Sequence, residues 1–170
     1  LSGCPDDCVH AETQDLALVP AVEEKAGDMV YGFNVLVGGK LGSGGYRIAT
    51  SLNVFLCPEE VVEVCSALIL LYRDHGSRDV RSKNRLAFLI EDWGEEKFRS
   101  ALEERVGRPL TPAGADLRRN EKSEHIGSYR QKQALMNYVG LKIPVGRIQA
   151  KKLQGLACLA EKYGNGEIRF

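Results

Sequence analysis

Pro58-Glu-Glu-Val-Val-Glu-Val-Cys-Ser-Ala-Leu-Ile-Leu-Leu-Tyr72, continued by Arg73-Asp-His-Gly-Ser-Arg-Asp-Val-Arg-Ser-Lys-Asn-Arg85, is where the chain changes its pattern. Pro58 suits a first helical turn, and Glu59 and Glu60 suit the positive end of a helix dipole. Val61, Val62, Val64, Cys65, Leu68, Ile69, Leu70, Leu71 and Tyr72 then fall on nearly every side of a helix. The spacing therefore predicts a largely buried helix that stops near Gly76. A second helix is expected over 79–92, with Leu86, Leu89, Ile90 and Trp93 toward the core and Gly94 as its end. A third is expected over 95–106, with Phe98, Leu102 and Val106 one turn apart.

Upstream of Pro58 the chain reads as strand and turn. Leu16-Ala-Leu-Val19 and Phe33-Asn-Val-Leu-Val37 are short apolar runs bounded by breakers. The second run enters Gly38-Gly-Lys-Leu-Gly-Ser-Gly-Gly45. Downstream, residues 107–134 contain Gly107, Pro109, Pro112 and Gly114 and then turn polar, which reads as a connection between domains. A βαβ pattern follows, with strands near 138–143 and 167–170 around a helix over 149–163. The expectation is an α+β fold with a first domain over 1–106, a linker over 107–134 and a second, partial domain over 135–170.

Composition narrows the function. The 170 residues carry 23 basic and 23 acidic side chains, so general affinity for nucleic acid is not expected. No apolar run approaches the roughly 20 residues that span a bilayer. The opening residues do not read as a secretory signal, and both ends read as cut, so the chain is expected to be an internal piece of a longer protein. Five cysteines, scattered and odd in number, argue against a secreted disulfide scaffold. Cys65 and Cys158 read as small core residues, and Cys57 has no evident task.

Against this neutral background, residues 73–85 are locally basic. Arg78, Arg81 and Arg85 recur at i, i+3 and i+7, which on a helix would place them on one face. Guanidinium groups grip carboxylates and phosphates with two parallel hydrogen bonds, so this face is a candidate anion clamp as well as a candidate solvated surface. The glycines of 38–45 could let backbone amides approach a ligand, or could simply shape a hairpin loop. Lys40 is not a P-loop lysine, because no Gly-Lys-Ser/Thr stands at the required spacing.

Several longer strings carry a resemblance. They are Leu1-Ser-Gly-Cys-Pro-Asp-Asp-Cys-Val-His-Ala-Glu-Thr-Gln-Asp-Leu-Ala-Leu-Val-Pro20, Gly32-Phe-Asn-Val-Leu-Val-Gly-Gly-Lys-Leu-Gly42 and Tyr72-Arg-Asp-His-Gly-Ser-Arg78. Asn137-Tyr-Val-Gly-Leu-Lys-Ile-Pro-Val-Gly-Arg147 and Glu161-Lys-Tyr-Gly-Asn-Gly-Glu-Ile-Arg-Phe170 complete the set. In order, over essentially the whole chain, they resemble the ferredoxin-dependent nitrite and sulfite reductase family, most closely its cyanobacterial-type nitrite reductases. The resemblance implies a sirohaem-protein large domain of mixed sheet and helices, followed by the start of a ferredoxin-like half-domain. It implies sirohaem and a 4Fe-4S cluster as cofactors, ferredoxin as electron donor, nitrite as substrate, a monomer and a cytoplasmic setting. It also implies that Arg85 holds a sirohaem carboxylate, with Arg81 and Arg78 as neighbouring candidates and Gly38, Gly39 and Lys40 beside the cofactor. Loss of a fully buried carboxylate partner would cost roughly 3–5 kcal/mol.

The same resemblance places the substrate-binding basic residues before Leu1 and the cluster cysteines after Phe170. No catalytic residue and no metal ligand is therefore expected here, and the piece alone should be inactive. Cys4 and Cys8 have the C-x3-C spacing of half a cluster motif, yet resemble the first repeat's echo of it; two thiolates do not complete a four-cysteine site. His10 reads as a candidate axial or proton-donating residue or as a histidine satisfied in a packed turn, and His75 and His125 show no partner in the sequence. Sulfite in place of nitrite is one alternative. A non-catalytic module whose basic face docks an acidic partner is another, and exposure of Arg78, Arg81 and Arg85 separates it from the cofactor reading.

Overall fold

The computed structural model describes residues 1–42, 45–120 and 122–169. The chain forms two compact units, Leu1–Ser123 and Glu124–Phe170. The fold is α+β, as expected.

The first unit is built on an antiparallel hairpin. Strand β1 (Leu16–Lys25) pairs with β2 (Asp28–Val37) from Leu16↔Val37 to Lys25↔Asp28. Both strands outrun the apolar runs seen in the sequence, because pairing carries on through Pro20 and Gly32 to a two-residue turn. That turn is Ala26-Gly27, with φ of 56° and 89°; positive φ at both positions matches the twist of the flanking strands. Strand β3 (Thr50–Leu56) adds beside β2, and the short β4 (Ala115–Asp116) adds beside β1, giving the order β3-β2-β1-β4. β3 has its own signal in the alternation of buried Leu52, Val54 and Leu56 with Ser51 and Asn53.

The sheet is covered on both faces, which is why its strands read as apolar runs rather than as strict alternation. Leu18, Val35, Val37, Leu52, Val54 and Leu56 pack against helices α1 (Val61–His75) and α2 (Leu86–Val106). Ala17, Val19 and Leu36, one residue out of phase, pack on the other face with Ala11 of the opening segment. Within α2, Gly94 takes a non-helical φ of 74° and ψ of 163°, so two helical runs meet at a kink where the sequence breaks.

α1 departs from expectation. It buries one face through Val64, Ala67, Leu68 and Leu71, while Val62 and Ile69 are exposed. The second helix starts at Leu86 and not at Asp79; between Gly76 and Leu86 the only regular piece is one 3-10 turn, Arg81–Lys83. Val80 is the sole apolar side chain between Gly76 and Leu86 and it is exposed, so no face was available to be buried by a helix there.

Residues 107–123 pack on the first unit. Arg99 donates to the Leu110 carbonyl at 2.8 Å, and the Phe55 N–H donates to the Thr111 carbonyl at 2.8 Å. The buried Asn34 side chain makes two 2.9 Å bonds with Gly114, one to its carbonyl and one from its N–H. The rest of the stretch read as a linker, from Glu124, lies in the second unit. There β5 (Gly127–Arg130) pairs with β6 (Asn137–Gly140), with Tyr129 stacked on Tyr138 at 5.2 Å. Helix α3 (Ala150–Tyr163) matches its expectation, but residues 167–169 are not a strand and Phe170 lies outside the described residues. No described residue of this unit is buried. Cys158 is exposed, contrary to its expected place in a core.

Candidate anion-binding site around Arg85

The three arginines do not share a helix face. Arg78 lies in the loop, exposed, donating to the Gly76 and Ser77 carbonyls at 3.2 and 3.0 Å and resting over the Tyr72 ring. Arg81 opens the 3-10 turn and is exposed. Arg85 is the N-cap residue of α2, with extended backbone and no side-chain cap bond. The i, i+3, i+7 spacing pointed to a helix that the missing apolar face prevents.

Arg85 has a partner that sequence reasoning did not single out. Its Nε and Nη2 donate to Asp15 Oδ1 and Oδ2 at 2.9 and 2.7 Å, a bidentate pair across 70 residues of sequence. A cation at the positive end of a helix dipole is disfavoured, and the Asp15 carboxylate offsets it. Hydrogen bonding to Asp15 also pushes the Arg85 pKa further up. The two side chains are 39% and 44% exposed, so the pair is worth about 1 kcal/mol or less in water, not the figure expected for full burial.

Gly38, Gly39 and Lys40 converge on the same place. The Gly38 and Gly39 N–H groups donate to the Asp15 and Gln14 carbonyls at 2.8 and 3.0 Å, and the Lys40 N–H donates to the Arg47 carbonyl at 2.9 Å. These amides are therefore spent within the protein and do not form the ligand-facing cradle that the glycine run suggested. The glycines serve a close approach instead. A Cβ on Gly39 would lie 2.6 Å from both the Gln14 and Glu12 carbonyl oxygens, and Gly38 has a φ of 77°. Ser43 and Gly44 of this run lie outside the described residues. Lys40 is 3% exposed, with Nζ 3.8 Å from the centre of the Phe88 ring, one turn into α2 from Arg85. Arg47 ties the corner together by donating to the Gly38 carbonyl at 3.1 Å and to Glu95 at 3.3 Å. Asp15 and Arg47 carried no motif; the one available sign was a lone acid at the foot of an apolar run.

A second charged cluster fixes the loop that carries Cys4 and Cys8. Asp7 is 2% exposed; its Oδ1 accepts the Ala11 N–H at 3.1 Å and its Oδ2 faces Lys122 at 3.2 Å and Arg118 at 3.7 Å. Lys122 also holds Glu12, and the Arg119 N–H donates to the Pro5 carbonyl at 2.8 Å. Burial pushes the Asp7 carboxyl up, but the Ala11 N–H, Lys122 and Arg118 outweigh it, and its pKa lies below the usual aspartate value.

All five thiols are free. Cys57 and Cys65 are pushed up in pKa, chiefly by burial, away from the thiolate a metal ligand needs. Cys57 caps the 3-10 turn Pro58–Glu60 that leads into α1, its N–H donating to Glu60 at 2.9 Å. Cys158 belongs to the other unit. This donor set does not fit a four-thiolate cluster. Of the histidines, His10 is an exposed left-handed N-cap, His75 packs on Trp93 at 4.9 Å, and His125 Nδ1 lies 3.0 Å from the Tyr138 hydroxyl.

Comparison with known proteins places this arrangement. Residues 1–110 match the nitrite and sulphite reductase 4Fe-4S domain, and residues 129–170 match the nitrite/sulfite reductase ferredoxin-like half domain. A ferredoxin–nitrite reductase of Leptolyngbya laminosa is 44% identical over 100% of this chain and 32% of its own length. An assimilatory ferredoxin-dependent nitrite reductase of Haloferax mediterranei is 42% identical over 100% of the chain and 31% of its length. The structure of the Mycobacterium tuberculosis NirA protein matches with a TM-score of 0.85 at 35% identity, covering 96% of this chain and 29% of that one. The chain thus spans about a third of the length of the curated relatives it matches. From the match over its first 110 residues, the chain belongs to the nitrite and sulphite reductase 4Fe-4S domain family.

Proposed function

We propose that this chain is part of a ferredoxin–nitrite reductase that reduces nitrite to ammonia with six electrons from ferredoxin, acting as a monomer in the cytoplasm. The names of relatives 42–44% identical over the whole chain support the activity. The structural observation that carries the reading is Arg85, at the mouth of α2, 39% exposed and with Nη1 making no hydrogen bond among the described residues.

Sirohaem is a tetrapyrrole bearing several carboxylates, and when bound it supplies the iron at which nitrite is reduced. Arg85 fits one of those carboxylates: the guanidinium is charged at every accessible pH, planar and half-exposed. Gly38 and Gly39 tie down the Gln14–Asp15 backbone beside it, and Lys40 lies buried over the Phe88 ring, one turn into α2. The 4Fe-4S cluster does not fit the cysteines of this chain, so its ligands are assigned elsewhere in the reductase. No electron-transfer step is derived from these residues.

Exposure of Arg78 and Arg81 favours a second role for those two, docking of an acidic partner such as the electron donor. Sulfite remains the alternative substrate, since the family takes its name from both. The test uses the reductase purified with its cofactors. Arg85→Ala should lower sirohaem content read from the visible spectrum, while Arg78→Ala with Arg81→Ala should leave it unchanged and weaken use of ferredoxin. Unchanged sirohaem content in Arg85→Ala would sink the assignment, and a higher rate of sulfide formation from sulfite than of ammonia formation from nitrite would move the chain to the alternative.

A further inference from the structure

Arginine carries five N–H groups in one plane. Asp15 takes two of Arg85's, the Nε hydrogen and one on Nη2, along the side edge of the guanidinium. Among the described residues three donors remain unused, and two of them, the outer hydrogens of Nη1 and Nη2, form the end edge and suffice for a second bidentate carboxylate. Asp15 is itself held. It sits at the foot of β1, and its carbonyl accepts the Gly38 N–H at 2.8 Å. Beside it, Gln14 accepts from Gly39 at 3.0 Å, and the space a Cβ would need at Gly39 is filled by the Glu12 and Gln14 carbonyls. Arg85, by contrast, stands at a helix terminus that repels its charge and gains no cap bond there. A long side chain in that position has several rotamers to lose on binding a ligand.

We propose that Asp15 is the positioning residue for Arg85: it fixes the guanidinium plane through its side edge so that the end edge is presented, already ordered, to a carboxylate of the tetrapyrrole. This rests on the cofactor reading given above. Asp15 touches neither cofactor nor substrate and acts only through Arg85. Its negative charge reduces the attraction of the site for an anion, and the gain lies in geometry and in rotamer entropy removed before binding.

The test is a sirohaem titration of the complete, cofactor-depleted reductase, followed by visible absorption, with thermal unfolding of each variant recorded alongside. Asp15→Asn should weaken sirohaem binding about tenfold, the scale of losing one charge-assisted pair. Asp15→Glu should restore part of that loss. In an Arg85→Ala background, Asp15→Asn should have no further effect, because its action runs through Arg85. If Asp15→Asn does not accumulate as folded protein, Asp15→Ser removes the same carboxylate and is read the same way. Unchanged or tighter sirohaem binding in Asp15→Asn would show that Asp15 is idle or competes with the ligand, and would overturn the proposal. An equal loss with and without Arg85 would overturn it too, by showing a general structural effect. If Arg85→Ala alone leaves sirohaem affinity intact, the cofactor reading of Arg85 fails first, and that failure is distinct.

Discussion

Replacing Gly39 by alanine probes how the corner that carries Asp15 is built. The added Cβ would stand 2.6 Å from two carbonyl oxygens, of Glu12 and Gln14, and 2.8 Å from the Gln14 nitrogen. All three are backbone atoms, so no side chain can swing aside. Ordinary carbon–oxygen contact would need several tenths of an ångström more, and the Glu12–Asp15 segment would have to withdraw. Overpacking of this kind costs about 1–3 kcal/mol. Withdrawal also stretches the 3.0 Å bond from the Gly39 N–H to the Gln14 carbonyl, for about 1 kcal/mol more. A total of about 2–4 kcal/mol corresponds to a fall in Tm on the order of 10 °C for a unit of this size. Thermal unfolding followed by circular dichroism reads it, with Gly3→Ala as control, since a Cβ at Gly3 meets nothing within 4 Å. Equal melting temperatures for the two variants would refute the close-approach account of Gly39.

Two further outcomes are expected. Asn34→Ala removes both 2.9 Å bonds to Gly114 and strands the partners of a buried side chain, so chemical denaturation should show a loss of about 2–4 kcal/mol; a loss below about 1 kcal/mol would mean the 107–123 stretch is held by other contacts. Asp7 has a folded-state pKa below its unfolded one, so its stabilising contribution is complete above about pH 4 and disappears as the pH falls through the lowered value. Asp7→Asn should therefore flatten stability against pH in that acid window and lower stability at neutral pH. A wild-type acid limb unchanged in Asp7→Asn would remove Asp7 as its source.

Much of this was legible along the chain because it depends on near neighbours. The apolar runs at 16–19 and 33–37, the stop at Gly94 and the helix ending at Tyr163 follow from local period and from breakers, and the structure keeps each of them. The family was legible in long strings of residues, independent of any geometry. Three details of the sequence reading changed for one shared reason. The helix start at 79, the reach of the connection over 107–134 and the common helix face of the three arginines rest on spacing alone, while their state depends on contacts with distant segments. Asn34 reaching Gly114 turns part of a polar connection into sheet-bound chain, and β5 becomes a strand only because β6 is there to pair with it.

The sequence by itself determined the α+β class, the family and the candidacy of Arg85 with Gly38, Gly39 and Lys40, since residue type and local order are enough for those. Tertiary structure alone decided that Arg85 stands apart from Arg78 and Arg81, that Asp15 holds it from 70 residues away, and that Gly39 makes room for the backbone of Glu12 and Gln14 while Gly38 makes room for the Arg47 side chain. The physical reason is that hydrogen bonds and steric contact act over a few ångströms of space, and separation along the chain carries no record of them.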